Sequence, residues 1–202
     1  MGGDRSTRVG AIPFLVGAIP FLESLPEART YLDNVKAELT LETAVIPPEG
    51  DLLAVCRMNS MLTKIHAFNS EDGLPIYDSR VAAAIATLVE IWRRESKIPS
   101  SQFPMALSFP EVGGGGCRRS VRARYKDAVR PPVLRYPTSK QTEEQLRHAS
   151  AWASAKVRLG WLLSDLLDKP SVAGMSALEA CLFMAGYDSR GIGVERQSDN
   201  PQ

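Results

Sequence analysis

The stretch GLPIYDSRVAAAIATLVEIW, residues 73–92, decides how this chain folds. An apolar approach ends in a single acid, Asp78, followed at once by Ser79 and Arg80. Beyond them Val81, Ile85, Leu88, Val89 and Trp92 recur at helical spacing, which predicts an amphipathic helix closing on the cations of RRESK. Aspartate is a preferred helix N-cap. Asp78 therefore has two readings, as the cap of that helix or as a carboxylate held for chemistry.

Upstream, Ser24 and Glu27 have capping-box spacing ahead of Leu32, Val35 and Leu39, which predicts a helix. A proline–glycine loop covers 46–51, with Asp51 placed to cap a helix over 52–68 through Val55, Met58, Leu62, Ile65 and Phe68. NSEDG then makes a turn. Residues 96–137 are rich in proline and glycine and read as a long irregular connection. Thr138 and Gln141 reopen a helix that carries Leu146, Trp152, Val157 and Trp161 towards Asp165, and Ser176 with Glu179 forms another capping box. The sum is an all-α fold: a compact multi-helix domain over 23–188 with a basic insertion at 113–136. An arm covers 1–22, and a loose polar tail covers 189–202.

A chain of 202 residues, 44% of them hydrophobic, suits one domain with an adequate core. The net charge of +1 does not by itself announce a nucleic-acid partner. Cys56, Cys117 and Cys181 lie far apart, with no C-x-x-C pair. That spacing argues for a reducing compartment and against a disulfide framework, a structural zinc or a cysteine-held cluster. His66 and His148 form no metal-binding array; the first reads as a surface or satisfied core histidine and the second as solvated. The tandem VGAIPFLVGAIPFL at 9–22 is broken by Pro13 and Pro20 and is too short to span a bilayer as a helix. MGGDRS fits an acylation pattern only formally, without a polybasic neighbour. The expectation is a soluble, cytoplasmic protein whose duplicated heptad forms a surface-packed arm.

Two groups of residues carry candidate chemistry. The run from Gly113 to Tyr136 sets Arg118, Arg119, Arg122, Arg124, Lys126, Arg130 and Arg135 against a lone Asp127. Arginines pair with phosphate oxygens, and Tyr125 or Tyr136 can stack on a base, so the run predicts nucleic-acid contact. A solvated loop is the plainer alternative. The four glycines there match no nucleotide-binding loop, and no nucleotide cofactor is implied. The second group is Lys64 with Asp78, which a fold-back of their two helices would bring into one cleft. An amine in partly apolar surroundings is a usable nucleophile, and a nearby carboxylate can orient it or stabilise charge on a sugar. The plain alternatives are a cap for Asp78 and a helix-end cation for Lys64.

The segment LTKIHAFNSEDGLPIYDSRVAAAI, and more diffusely residues 50–188, resembles the helix-hairpin-helix DNA glycosylase superfamily, nearest its 8-oxoguanine glycosylase-like bacterial branch. Thr63-Lys64 matches the family's lysine-bearing helix, and Pro75-Ile76-Tyr77-Asp78-Ser79-Arg80-Val81 matches its aspartate segment. The resemblance implies that Lys64 attacks the sugar C1′ of a damaged or modified nucleotide flipped from duplex DNA, with Asp78 assisting. It also implies lyase activity through a Schiff base, and no metal or organic cofactor. Met58-Asn59-Ser60-Met61 stands where the family carries a glycine turn that binds DNA phosphate. The expected DNA contacts are therefore Arg80, Arg118, Arg119, Arg122, Arg124 and Lys126, with the basic insertion taking over backbone binding. The alternatives are a non-catalytic nucleic-acid-binding protein of the same fold, or a module whose basic loop meets an acidic protein surface.

Overall fold

The computed structural model describes residues 15–47, 52–113, 120–129, 133–134 and 142–193. Among them are six helices: α1 (Leu15–Glu23), α2 (Ala28–Leu39), α3 (Leu62–Phe68), α4 (Ser79–Glu95), α5 (Thr142–Asp165) and α6 (Val172–Ala185). Two short strands, β1 (Glu111–Val112) and β2 (Val133–Leu134), pair in parallel. The protein is predominantly helical, as the apolar periodicity predicts. None of the described helices is long and apolar enough to cross a membrane.

Helix α4 is the axis of the core. Every residue from Val81 to Thr87 is buried, because a run of alanines lets neighbouring elements approach from several sides. Helix α6, strand β1 and single 3-10 turns at Val121–Ala123 and Ser189–Gly191 pack around it. Leu88 and Trp92, expected on the core face, are 39% and 41% exposed, so the buried stripe is wider and rotated from the one the large residues mark. The expected dipole cations at the end of α4 are engaged in an ion network instead. Arg93 donates to both carboxylate oxygens of buried Glu90 (2.8 and 2.7 Å), and Arg94 bridges Glu90 and Asp127 (2.7 Å each). Burial alone would raise the Glu90 carboxyl, but the bonds from Arg93 and Arg94 hold it below its ordinary range.

Several local expectations fail for identifiable reasons. Residues 52–61 are not helical; Leu52, Val55 and Met58 are buried from irregular backbone, and only the short α3 follows. Asp51, the expected cap there, lies outside the described residues. Neither capping box forms. Ser24 donates its hydroxyl to the Phe21 carbonyl at the end of α1 (2.7 Å), and α2 starts without a side-chain cap. Ser176 lies inside α6, which Ser171 caps by accepting from the Gly174 amide (3.1 Å). The second copy of the duplicated heptad lies in α1, where Ala18 is buried and Phe21 meets Tyr31 edge-on at 5.4 Å. Of the first copy, only its last residue, Leu15, lies among the described residues, as the first residue of α1. The start of the expected polar tail is docked, since Ser189 and Ile192 are buried.

Candidate active site

Asp78 caps α4. Its Oδ1 accepts hydrogen bonds from the Arg80 amide (2.9 Å) and the Val81 amide (3.1 Å), and the residue is only 8% exposed. The backbone leading to it, Gly73 to Tyr77, belongs to no helix or sheet, so its polar groups need side-chain partners. Four side chains supply them. Lys156 on α5 donates to the Pro75 carbonyl (2.6 Å), and Glu179 on α6 accepts from the Ile76 amide (2.9 Å). Thr63 Oγ1 on α3 accepts from the Tyr77 amide (3.0 Å), and Trp152 Nε1 on α5 donates to the Tyr77 carbonyl (2.7 Å). The Tyr77 hydroxyl in turn donates to the Pro110 carbonyl (2.6 Å). Asp78 thus stands at the end of a segment fixed by three helices.

Helix α6 runs in step with this segment. Gly73, in the left-handed region at φ 79°, lies against Met175, where a Cβ would come within 2.9 Å of the Met175 Cβ. Phe183, one turn beyond Glu179, lies under the Arg80 guanidinium (4.4 Å from the ring centre), and Tyr187 lies 5.3 Å from it. Gly186 closes the contact, since a Cβ there would stand 1.8 Å from the Arg80 carbonyl oxygen. Arg80 is accordingly folded against aromatic rings.

Lys64 is half-buried on α3, beside Thr63. The Thr63–Tyr77 hydrogen bond joins the neighbours of Lys64 and Asp78, and the path through it bounds their Cα separation at about 14 Å. No hydrogen bond or ion pair joins the two side chains among the described residues. The lysine that does touch the aspartate segment is Lys156. It is fully buried, also donates to the Thr63 carbonyl (2.9 Å), and burial lowers its amine to about 7 against the raising influence of Glu179 and Asp72. Burial raises Glu179, as does the charge of Asp78, while the Ile76 amide and Lys156 oppose the rise. Neither Lys156 nor Glu179 was expected at the site. A signal existed for the lysine, which shares the buried face of Trp152, Leu159 and Leu163 in an otherwise apolar stripe.

His66 and His148 differ from expectation. His66 is buried with neither ring nitrogen partnered among the described residues, and burial, with the nearby Lys156 charge, lowers it to about 3. His148 is half-buried edge-on to Trp152 (5.6 Å) and is also lowered by burial.

The loop Met58–Met61 closes on itself. Asn59 Oδ1 accepts from the Met61 and Leu62 amides (2.8 Å each), so these amides do not point at solvent for a phosphate. Of the basic run, Arg118 and Arg119 lie outside the described residues, as do Arg130, Arg135 and Tyr136. Arg122 and Lys126 are exposed. Glu111 anchors the run by accepting from Ser120 Oγ (2.9 Å) and the Val121 amide (2.7 Å). The Tyr125 ring, expected to stack on a base, already carries Arg94 (4.4 Å) and Arg124 (5.0 Å). The described part of the run is therefore pinned to α4. A groove of about 1310 Å³ beside α5 is lined by residues such as Val45, Leu53, Met105 and Trp161, and by neither Lys64 nor Asp78. No group of side chains able to hold a metal ion occurs among the described residues.

Compared with known proteins, the chain matches no family model, no curated protein and no solved structure.

Proposed function

We propose that the protein is a DNA glycosylase that excises a damaged or modified base from duplex DNA, in repair or in defence against modified DNA. The observation that carries this reading is the rigid presentation of Asp78: a carboxylate at a helix N-terminus, on a segment tied by Thr63, Lys156, Trp152 and Glu179, one residue from the bond to the Lys64-bearing helix. Such pre-organisation is what stabilising positive charge on a sugar requires. In this reading the Lys64 amine bonds to C1′ as the glycosidic bond breaks, the base leaves with the bonding electrons, and Asp78 stabilises the charge and accepts the amine proton. The sugar ring of the resulting aminal then opens by cleavage of C1′–O4′, O4′ taking the proton that Asp78 accepted, and the iminium so formed allows strand cleavage. Arg80 and the cations Arg118, Arg119, Arg122, Arg124 and Lys126 contact the DNA backbone. This chemistry needs no metal or organic cofactor.

A specific observation favours a second reading. Asp78 Oδ1 already caps α4, and Lys64 makes no bond to it, as suits a non-catalytic nucleic-acid-binding protein of the same fold. Borohydride trapping on a panel of oligonucleotides with modified bases separates the two. The glycosylase reading expects a covalent adduct that Lys64→Ala abolishes; salt-sensitive DNA binding without base release or adduct supports the second.

A further inference from the structure

Lys156 and Glu179 hold the two ends of one peptide group. The Pro75 carbonyl that accepts from Lys156 Nζ (2.6 Å) and the Ile76 N–H that donates to Glu179 Oε2 (2.9 Å) belong to the same amide plane. The arrangement is cation, carbonyl, N–H, carboxylate. Each charge polarises the amide in the sense that strengthens the bond at its other end. A fully buried lysine and a half-buried glutamate are costly side chains to use for tethering one loop, and neither takes part in the chemistry assigned to Lys64 and Asp78.

We propose that Lys156 and Glu179 are a coupled pair of positioning residues that fix the Pro75–Ile76 amide, and that their charge states set the pH range in which Asp78 is held in place. The proposal rests on the reading of Asp78 as the catalytic carboxylate. The groups facing the pair are few. Asp72, from the loop before the segment, and Glu179, from α6, favour the lysine cation; burial opposes it. His66 on α3 stays neutral beside it. Asp78 disfavours a second carboxylate at Glu179. The lysine cation is lost as pH rises through about 7, which weakens the tether from the α5 side. Protonation of Glu179 on acidification weakens it from the α6 side.

The test is an NMR titration of the full chain carrying labelled lysine side chains and backbone amides. Lys156 is expected to titrate near 7, far below an exposed lysine, and the Arg80 and Val81 amides bonded to Asp78 should shift with the same midpoint. Glu179→Gln keeps an oxygen to accept the Ile76 N–H but removes the charge, and should lower the Lys156 midpoint while preserving the fold. An unchanged Lys156 midpoint in that variant would overturn the coupling. Arg80 and Val81 amides that ignore the Lys156 titration would overturn the link to Asp78. Neither readout depends on catalysis, so a protein that releases no base would fail the glycosylase reading without imitating either result.

Discussion

Thr63 offers a sharp test of what holds the Asp78 segment. It is fully buried, and its hydroxyl oxygen accepts from the Tyr77 amide at 3.0 Å and lies 3.5 Å from the Lys156 amine. Thr63→Val keeps the branched shape and leaves the buried Tyr77 N–H unpaired, a loss of about 1–3 kcal/mol. Thr63→Ser keeps the acceptor and removes one methyl group, worth about 0.8 kcal/mol with a small addition for the space left. A segment held by side-chain hydrogen bonds thus predicts that valine is worse than serine by roughly 1 kcal/mol. A segment held by packing predicts the reverse order. Urea unfolding with an unchanged m-value is the measurement. Serine equal to or worse than valine would refute the reasoning.

Other consequences follow from the same geometry. Gly186→Ala forces a Cβ to 1.8 Å from the Arg80 carbonyl oxygen, where backbone must move; a loss of about 3 kcal/mol, at the upper end for overpacking, should appear in chemical denaturation, and a loss below about 0.5 kcal/mol would contradict the contact. Because the folded Lys156 amine titrates near 7 against an ordinary 10.5, the unfolded chain binds more protons between those values, so stability should rise with pH across that window. Lys156→Met should lack that rise, as pH-dependent unfolding of both proteins would register. Neutralising Arg118, Arg119, Arg122 and Arg124 together should flatten the dependence of DNA affinity on salt by about one unit of log–log slope per lost phosphate contact, with Arg124 contributing least because it lies over Tyr125. An unchanged slope in a binding titration would remove the basic run from the interface.

Periodicity revealed the helices that bury a stripe of their own. Helix α4 begins one residue after Asp78 and α5 ends at Asp165, as the apolar spacing and the capping acid indicate. It misled where spacing came from something other than a helix. Leu52, Val55 and Met58 repeat every third residue, yet all three are buried from irregular backbone, which spacing alone does not distinguish from a turn of helix. The capping boxes failed because the residues had better partners: Glu179 serves the Ile76 amide across the core. The paired strands are two residues each and carry no period. At the site, Asp78 was legible because cap, turn and apolar run all surround it. The side chains that fix its segment come from positions 63, 152, 156 and 179, and only folding relates them. A lysine inside the apolar face of α5 was the one visible irregularity.

The central claim is that Asp78 is held for chemistry on DNA and not only to begin a helix. Asp78→Asn keeps a side-chain oxygen to accept from the Arg80 and Val81 amides while removing the charge, so it separates capping from catalysis. Single-turnover base release from a duplex whose modified base the wild-type protein excises is the direct measurement. The account predicts that Asp78→Asn folds, binds the duplex with near wild-type affinity, and releases base at least about a hundredfold more slowly. Base release at the wild-type rate by the folded variant would contradict it.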